Sequence, residues 1–574
     1  MRLTVRTAAA LLAFATLVTY ANSLGGAFVF DDIGSLVNNP TLREWRTALF
    51  PPGGGLTVSG RPLLNASFTL SHHLGGGAAW GHHVLNLAIH LGAGLALFGF
   101  VRRTLLLPRL APRYGAHATS LAGLVALLWT LHPLQTESVT YLVQRAESQM
   151  GLLALLACYA YVRGAAPALG ASTSSPRDQR RASGWLSLSV LACLLGIGTK
   201  EVTVAVPLLV LLHDRAFLAG TVAAALRTRR TYYLCLFGTW LPLAALVWQG
   251  GSRGGTSGFN VGITPLDYWL TQFEAIARYV SLIVWPQPLV FEYGTFWVRS
   301  LAHVWPAALL VTPLVLGTLW ALWRRPWLGF IGGWFFALLA PTSLMPGTLQ
   351  MIVEHRLYLS LAAALILAVL ALHALLPRLA LPLGLAIASA FAVQTAARNT
   401  DYRTDLRLWA HTVAARPANH RAHLYYANAL VLAGRPAEAV AHYRTATNLT
   451  PTDPEPWANL SLALGQTGDF PAAITAAETA LRLNPRLTSA LGNLGLALVQ
   501  SRRPAEALPH LEAALRLTPE SPEVHNTLGV ALIQLQRAPE AAAHFTAALR
   551  LRPDYPQARD NLARLRTLLA APPR

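Results

Sequence analysis

The sequence predicts an all-α chain in two parts: a polytopic membrane bundle of about eleven helices over residues 1–397, then a helical-repeat solenoid over residues 420–570. Three observations predict it: a charge-poor composition, a series of long apolar runs, and a strict 34-residue period in the last third of the chain. Of 574 residues, 12% are charged and 53% hydrophobic, which is too apolar for a soluble protein of this length.

A helix needs ~20 mostly apolar residues to cross the hydrocarbon of a bilayer. Such runs lie near 7–21, 83–101, 118–131, 149–163, 184–199, 202–213, 231–249, 302–323, 327–344, 357–376 and 379–397. The first follows Arg2 and Arg6 and has the look of a signal peptide, but the many later spans favour a retained membrane helix. A further stretch, 268–290, is broken by Glu274, Arg278 and two prolines.

The net charge of +19 does not call for nucleic acid, because much of the arginine lies in short loops between apolar runs. The positive-inside rule accounts for it. Clusters at Arg102, Arg103, Arg109 and Arg113, at Arg163, Arg177, Arg180 and Arg181, at Arg215, Arg227, Arg229 and Arg230, and at Arg324 and Arg325 fall on one side if 268–290 does not cross. The expectation is an integral protein of a bacterial inner membrane with a cytoplasmic N-terminus and extracytoplasmic repeats. Segments 22–82, 132–148, 200–201, 250–301 and 345–356 then face outward.

Past Arg398, prolines recur at Pro417, Pro451, Pro485, Pro519 and Pro553, each interval being 34 residues. This is the tetratricopeptide period. Ala439, Ala473, Ala507 and Ala541 keep step, as do Ala446, Ala480, Ala514 and Ala548, with Gly495 and Gly529 in the first helices. Four repeats begin at about His420, and residues 398–419 read as a linker with a half repeat around Trp409. A capping helix follows Pro556.

The outward segments hold nearly all the unusual polar residues. Asp31 and Asp32 come a few residues after the first membrane helix, where desolvation raises a carboxyl toward general-base range; a solvated capping pair is the plainer alternative. His132, Thr136, Glu137, Tyr141, Gln144, Arg145 and Glu147 follow the third run, and a helix there sets Glu137, Tyr141, Gln144 and Arg145 on one face. Lys200 is the only lysine among 45 basic residues, beside Glu201 between two apolar runs. It reads either as a compact charge for a phosphate or as the partner of Glu201. Glu354, His355, Arg356 and Tyr358 open a membrane helix, where free N–H groups and a guanidinium suit an anion. Glu292, Tyr293 and Arg299 precede them. Cys158, Cys193 and Cys235 lie in apolar runs without metal spacing, and no cofactor or metal is expected.

Several groups of residues, in this order and followed by the repeats, resemble the transmembrane and tetratricopeptide repeat-containing (TMTC-type) O-mannosyltransferases of the GT-C superfamily. They are Asp31-Asp32 with Asn38-Asn39-Pro40, Arg61-Pro62-Leu63, Gly81-His82-His83 with Asn86 and His90, His132-Pro133 with Thr136-Glu137, and Glu354-His355-Arg356-Leu357-Tyr358. The resemblance implies a GT-C-like bundle, a polyprenyl-phosphate-linked monosaccharide donor and an extracytoplasmic site. It makes Asp31 or Asp32 the base toward an acceptor hydroxyl of a protein or glycan, which the repeats would recruit. Arg356, with His355, Lys200 and Arg145, would hold the donor phosphate, and Arg61, His132, Glu137, Glu201, Glu354 and Tyr358 would support them. The few repeats and the Arg/Ala/Pro-rich composition point to a bacterial homologue. Two other readings are a membrane-anchored repeat scaffold and a ligase or polymerase of lipid-linked oligosaccharide.

Overall fold

A computed structural model of the chain describes residues 3–166, 175–250, 258–259, 262–348 and 351–570. Parts of the outward segments 250–301 and 345–356 therefore lie outside the described residues. The architecture is all-α, with no β-strand among the described residues. By contacts the chain divides into two compact units, Met1–Leu408 and Trp409–Arg574.

Among the described residues, eight helices of the first unit are long and apolar enough to cross a bilayer: Val5–Gly25, Ala79–Leu105, Ala111–Leu131, Glu201–Ala219, Arg230–Trp248, Leu301–Arg324, Pro326–Leu344 and Ala380–Arg403. The other three apolar runs of the sequence also fall on helices. Arg145–Ala165 and Pro176–Ile197 are long but begin with polar turns, and Ser360–Leu375 is apolar but short. Helix Val5–Tyr20 packs against Ala79–Leu105, Ala118–Leu131 and Ala380–Asn399, while Arg145–Ala165 packs against Ala79–Leu105 and Pro176–Ile197.

Close approach is set by glycine where the chain turns into Ala79–Leu105. A Cβ on Gly81 would lie 2.6 Å from the Gly75 Cα, so only glycine lets the preceding helix Pro62–Gly75 lie backbone to backbone on this one. This explains the first residue of the Gly81-His82-His83 motif.

Four of the connecting segments meet one another: Asp32 of 22–82 accepts the Val143 N–H of 132–148, Glu137 of 132–148 accepts the His355 N–H of 345–356, and Glu354 of 345–356 accepts the Val290 N–H of 250–301. Asn399 ties this end of the bundle together: its Nδ2 donates to the Thr19 carbonyl at 3.2 Å and its Oδ1 accepts from Thr140 Oγ1 at 2.7 Å. At the other end Arg229 pairs with Asp214 at 3.0 Å, within one of the arginine clusters.

The interrupted stretch near 268–290 forms helix Pro265–Val284. Both of its ends meet residues of the same end of the bundle. Tyr268 Oη donates to the Thr342 carbonyl at 2.5 Å, and the Ile283 carbonyl lies 3.3 Å from His132 Nε2. A 20-residue helix is about 30 Å long, so this one lies across the bundle end.

The second unit stacks helix pairs in the 34-residue register, His420–Leu432 with Pro436–Leu449 through Pro522–Gln534 with Ala538–Leu551. The eight recurring alanines are fully buried between paired helices. At Gly495 and Gly529 a Cβ would sit 2.4 Å from Leu511 Cδ2 and 2.5 Å from Phe545 Cε1, which is why the first helices carry glycine there.

Candidate active site

The first outward segment opens on a strained turn. Phe30 has φ 47°, a left-handed conformation that a bulky residue adopts only when its surroundings impose it. Its N–H donates to Asp405 Oδ1 at 3.1 Å. The turn gives the two adjacent carboxylates different environments. Asp32 is fully buried; its Oδ2 accepts the Val29 N–H at 3.0 Å and its Oδ1 the Val143 N–H at 2.8 Å. Burial raises its carboxyl well above the usual range, and the two N–H groups oppose that rise. Asp31 is half-buried, and its own N–H donates to Tyr141 Oη at 3.1 Å. Asp32 is a clamp between segments 22–82 and 132–148, and Asp31 is the less buried carboxylate of the two.

The expected single helical face from Glu137 to Arg145 does not form. Helix Thr136–Thr140 stops where Tyr141 turns extended, a 3-10 turn Leu142–Gln144 follows, and only then does Arg145–Ala165 begin. The backbone groups freed by the break are satisfied by side chains. Asp32 takes the Val143 N–H, and Asn86 Nδ2 donates to the carbonyls of Val139 at 3.0 Å and Leu142 at 3.3 Å.

Arg145 does not fit the phosphate-binding role expected of it. Its Nε donates to Asn86 Oδ1 at 2.5 Å, Nη1 to the Ser67 carbonyl at 2.8 Å and Ser71 Oγ at 2.9 Å, and Nη2 to the His82 carbonyl at 3.0 Å. The guanidinium is fully buried 4.4 Å over the Phe68 ring. Four of its five N–H donors are thus spent on packing three helices together.

Other supporting residues are likewise structural. His132 Nδ1 accepts the Leu134 N–H at 3.2 Å and caps a turn. Tyr358 Oη lies 2.9 Å from His90 Nδ1, whose other ring nitrogen meets the Thr130 carbonyl at 3.0 Å. Arg61 reaches Glu201 at 3.2 Å and the Thr57 carbonyl at 2.8 Å. Lys200 therefore does not take its neighbour as ion-pair partner. Its Nζ meets Glu147 Oε1 at 2.5 Å, and both side chains are buried.

The last outward segment joins this group. Glu137 accepts the His355 N–H on Oε2 at 2.9 Å and meets His355 Nδ1 with Oε1 at 2.8 Å. Glu354 accepts from Tyr293 Oη at 2.9 Å and from the Val290 N–H, with Arg398 Nη2 3.9 Å away. Burial pushes the carboxyls of Glu137 and Glu354 up. The Arg398 charge acts against that rise at both, and Lys200 acts against it at Glu137. Arg356 is half-buried, lies against the hydroxyls of Tyr268 and Tyr279, and lines a small pocket with Glu147, Met150, Val202, Leu338, Thr342 and Leu359. The pocket is small, about 10 Å³, room for a single water, and it sets the Arg356 guanidinium and the Glu147 carboxylate on one apolar-walled space.

Sequence reasoning missed Glu147 as the Lys200 partner, along with Tyr268, Tyr279 and Arg398. The i, i+11 placement of the two tyrosines on an amphipathic helix was a usable signal, and so was Arg398 at the outward end of the last span. Nothing in spacing linked Glu147 to a lysine 53 residues away.

Two tetratricopeptide repeat models match the C-terminal region, one at residues 420–463 and the other at 459–508 and 493–556. Protein O-mannosyl-transferase TMTC1 of Mus musculus is 36% identical over 184 residues, 29% of this chain and 18% of that protein. Protein O-mannosyl-transferase Tmtc1 of Drosophila melanogaster is 27% identical over 342 residues, 54% of this chain and 37% of that protein. The matched stretches thus span less than two thirds of these relatives. A solved thermophilic TPR protein of Thermus thermophilus aligns with 31% of this chain and 94% of its own at 22% identity, with a TM-score of 0.26. This membrane chain is thus similar over part of its length to proteins named TMTC O-mannosyl-transferases, and its C-terminal region matches tetratricopeptide models.

Proposed function

We propose that the chain transfers a monosaccharide from a polyprenyl-phosphate-linked donor to an acceptor hydroxyl, of a protein Ser/Thr or a glycan, on the extracytoplasmic face of the membrane. The observation that carries this reading is the gathering of three cations, Arg356, Lys200 and Arg61, around the His355 ring beside the last two membrane helices. The names of the curated relatives support sugar transfer to protein.

In the proposed step the Asp31 carboxylate takes the proton of the acceptor hydroxyl, and the oxygen attacks the anomeric carbon. The bond from that carbon to the phosphate oxygen breaks, and the lipid phosphate leaves with the electron pair. Arg356 and Lys200 meet the charge that develops on it, so the step itself requires no metal. The proposed domain roles are a GT-C-like transferase over 1–397, a linker and half repeat over 398–419, and acceptor recruitment by 420–570.

Orientation is testable directly. Ala418 is exposed, and Ala418→Cys is expected to react with an impermeant maleimide in intact cells whose outer membrane has been permeabilised. Cys235 is the exposed native thiol to replace first. Labelling that appears only after lysis contradicts an outward C-terminal part. Competition between lipid-linked monosaccharide and lipid-linked oligosaccharide separates transfer from ligation or polymerisation: only the monosaccharide should be turned over.

A further inference from the structure

We infer that His355 reads a hydroxyl of the transferred sugar and does not hold the donor phosphate. The inference rests on the lipid-linked sugar donor proposed above and concerns the same site. Both N–H groups that His355 can offer in its neutral form are already spent. Its main-chain N–H goes to Glu137 Oε2 at 2.9 Å and its ring Nδ1 to Glu137 Oε1 at 2.8 Å. A carboxylate accepts, so Nδ1 is the protonated nitrogen and Nε2 is left with a lone pair.

Nε2 has no hydrogen-bond partner among the described residues. The groups acting on the ring beyond Glu137 are Lys200, Glu147, Arg356 and Arg61. Three of the four are cations, and with burial they hold the imidazole in its neutral form. Burial raises the Glu137 carboxyl; the His355 main-chain N–H and the Arg398 and Lys200 charges oppose that rise, in favour of the carboxylate that this tautomer needs.

A lone pair faces a phosphate oxygen with repulsion and no hydrogen to share. It can accept an O–H. The Arg356, Lys200 and Arg61 charges all act on the His355 ring, so a donor whose phosphate meets these cations would set its sugar within reach of Nε2. Glu137 is then a positioning residue: it fixes which ring nitrogen accepts.

The test uses the purified full chain in detergent and the polyprenyl-phosphate hexose it turns over fastest, with the 2-, 3-, 4- and 6-deoxy forms of that donor. The wild type is expected to lose roughly 10–100-fold in kcat/KM on one deoxy donor, the size of a lost buried hydrogen bond. In His355→Ala that ratio should collapse toward one, with the ratios for the other deoxy donors unchanged. His355→Gln, which keeps an acceptor oxygen, should restore part of it. Inhibition by sugar-free polyprenyl phosphate should be the same in all three proteins. A weaker inhibition in His355→Ala, or deoxy ratios that all survive the substitution, overturns the inference while leaving donor turnover standing. A wild type that turns over no lipid-linked sugar removes the underlying reading itself.

Discussion

Asp31→Asn is expected to lower sugar transfer by roughly 100-fold or more, the usual cost of losing a general base, with expression and thermal stability near those of the wild type. Asp31 is half-buried and anchored through its backbone N–H, which the substitution leaves in place. Asp32→Asn should behave differently, although the sequence alone treats the two as equivalent loop changes. Each Asp32 oxygen accepts a backbone N–H, from Val29 and from Val143. An amide would turn an NH2 toward one of them, leaving a buried donor facing a donor at a cost of about 1–3 kcal/mol. A lower unfolding temperature for Asp32→Asn, with a stable but inactive Asp31→Asn, is the expected pattern. Full activity of Asp31→Asn removes it as the base.

Lys200→Met should be the second severe lesion. It strands the Glu147 carboxylate, buried with its lysine, and breaking such a pair costs about 3–5 kcal/mol. The double variant Lys200→Met/Glu147→Gln removes the stranded charge and should recover most of the stability. It should not recover transfer, because the proposed phosphate contact is lost with the ammonium. Lys200→Arg keeps the charge but forces a planar fork into a space fitted to an ammonium 2.5 Å from Glu147. Donor turnover should fall for Lys200→Arg, less than for Lys200→Met. A double variant that regains both stability and turnover would make the pair purely structural.

The fold was legible in the sequence where one local rule was repeated. Apolar length marked the membrane runs, and the 34-residue register of proline and alanine marked the repeats, because each repeat packs on its neighbours through the same positions. For the interrupted stretch the sequence offered charge alone: the four arginine clusters fall on one side only if it does not cross. The site was legible only as a set of segments. Which of two adjacent aspartates is a clamp depends on a turn at Phe30 and on an N–H at Val143, and no pattern of side chains encodes either. The false helical face from Glu137 to Arg145 has the same origin: Asn86, on another helix, satisfies the backbone where the local helix breaks. The lysine that departs from the chain's arginine habit pairs with Glu147, while Glu201 pairs with Arg61.

The most direct measurement incubates the purified full chain in detergent with polyprenyl phosphate carrying a labelled mannose, glucose or galactose, together with a Ser/Thr-rich acceptor protein. Label on the acceptor and free lipid phosphate are followed together. The account predicts that one of these donors yields both products in equal amounts, and that both are lost in Asp31→Asn. Equal turnover in Asp31→Asn, or label delivered from a nucleotide sugar while every lipid-linked donor stays intact, would contradict it.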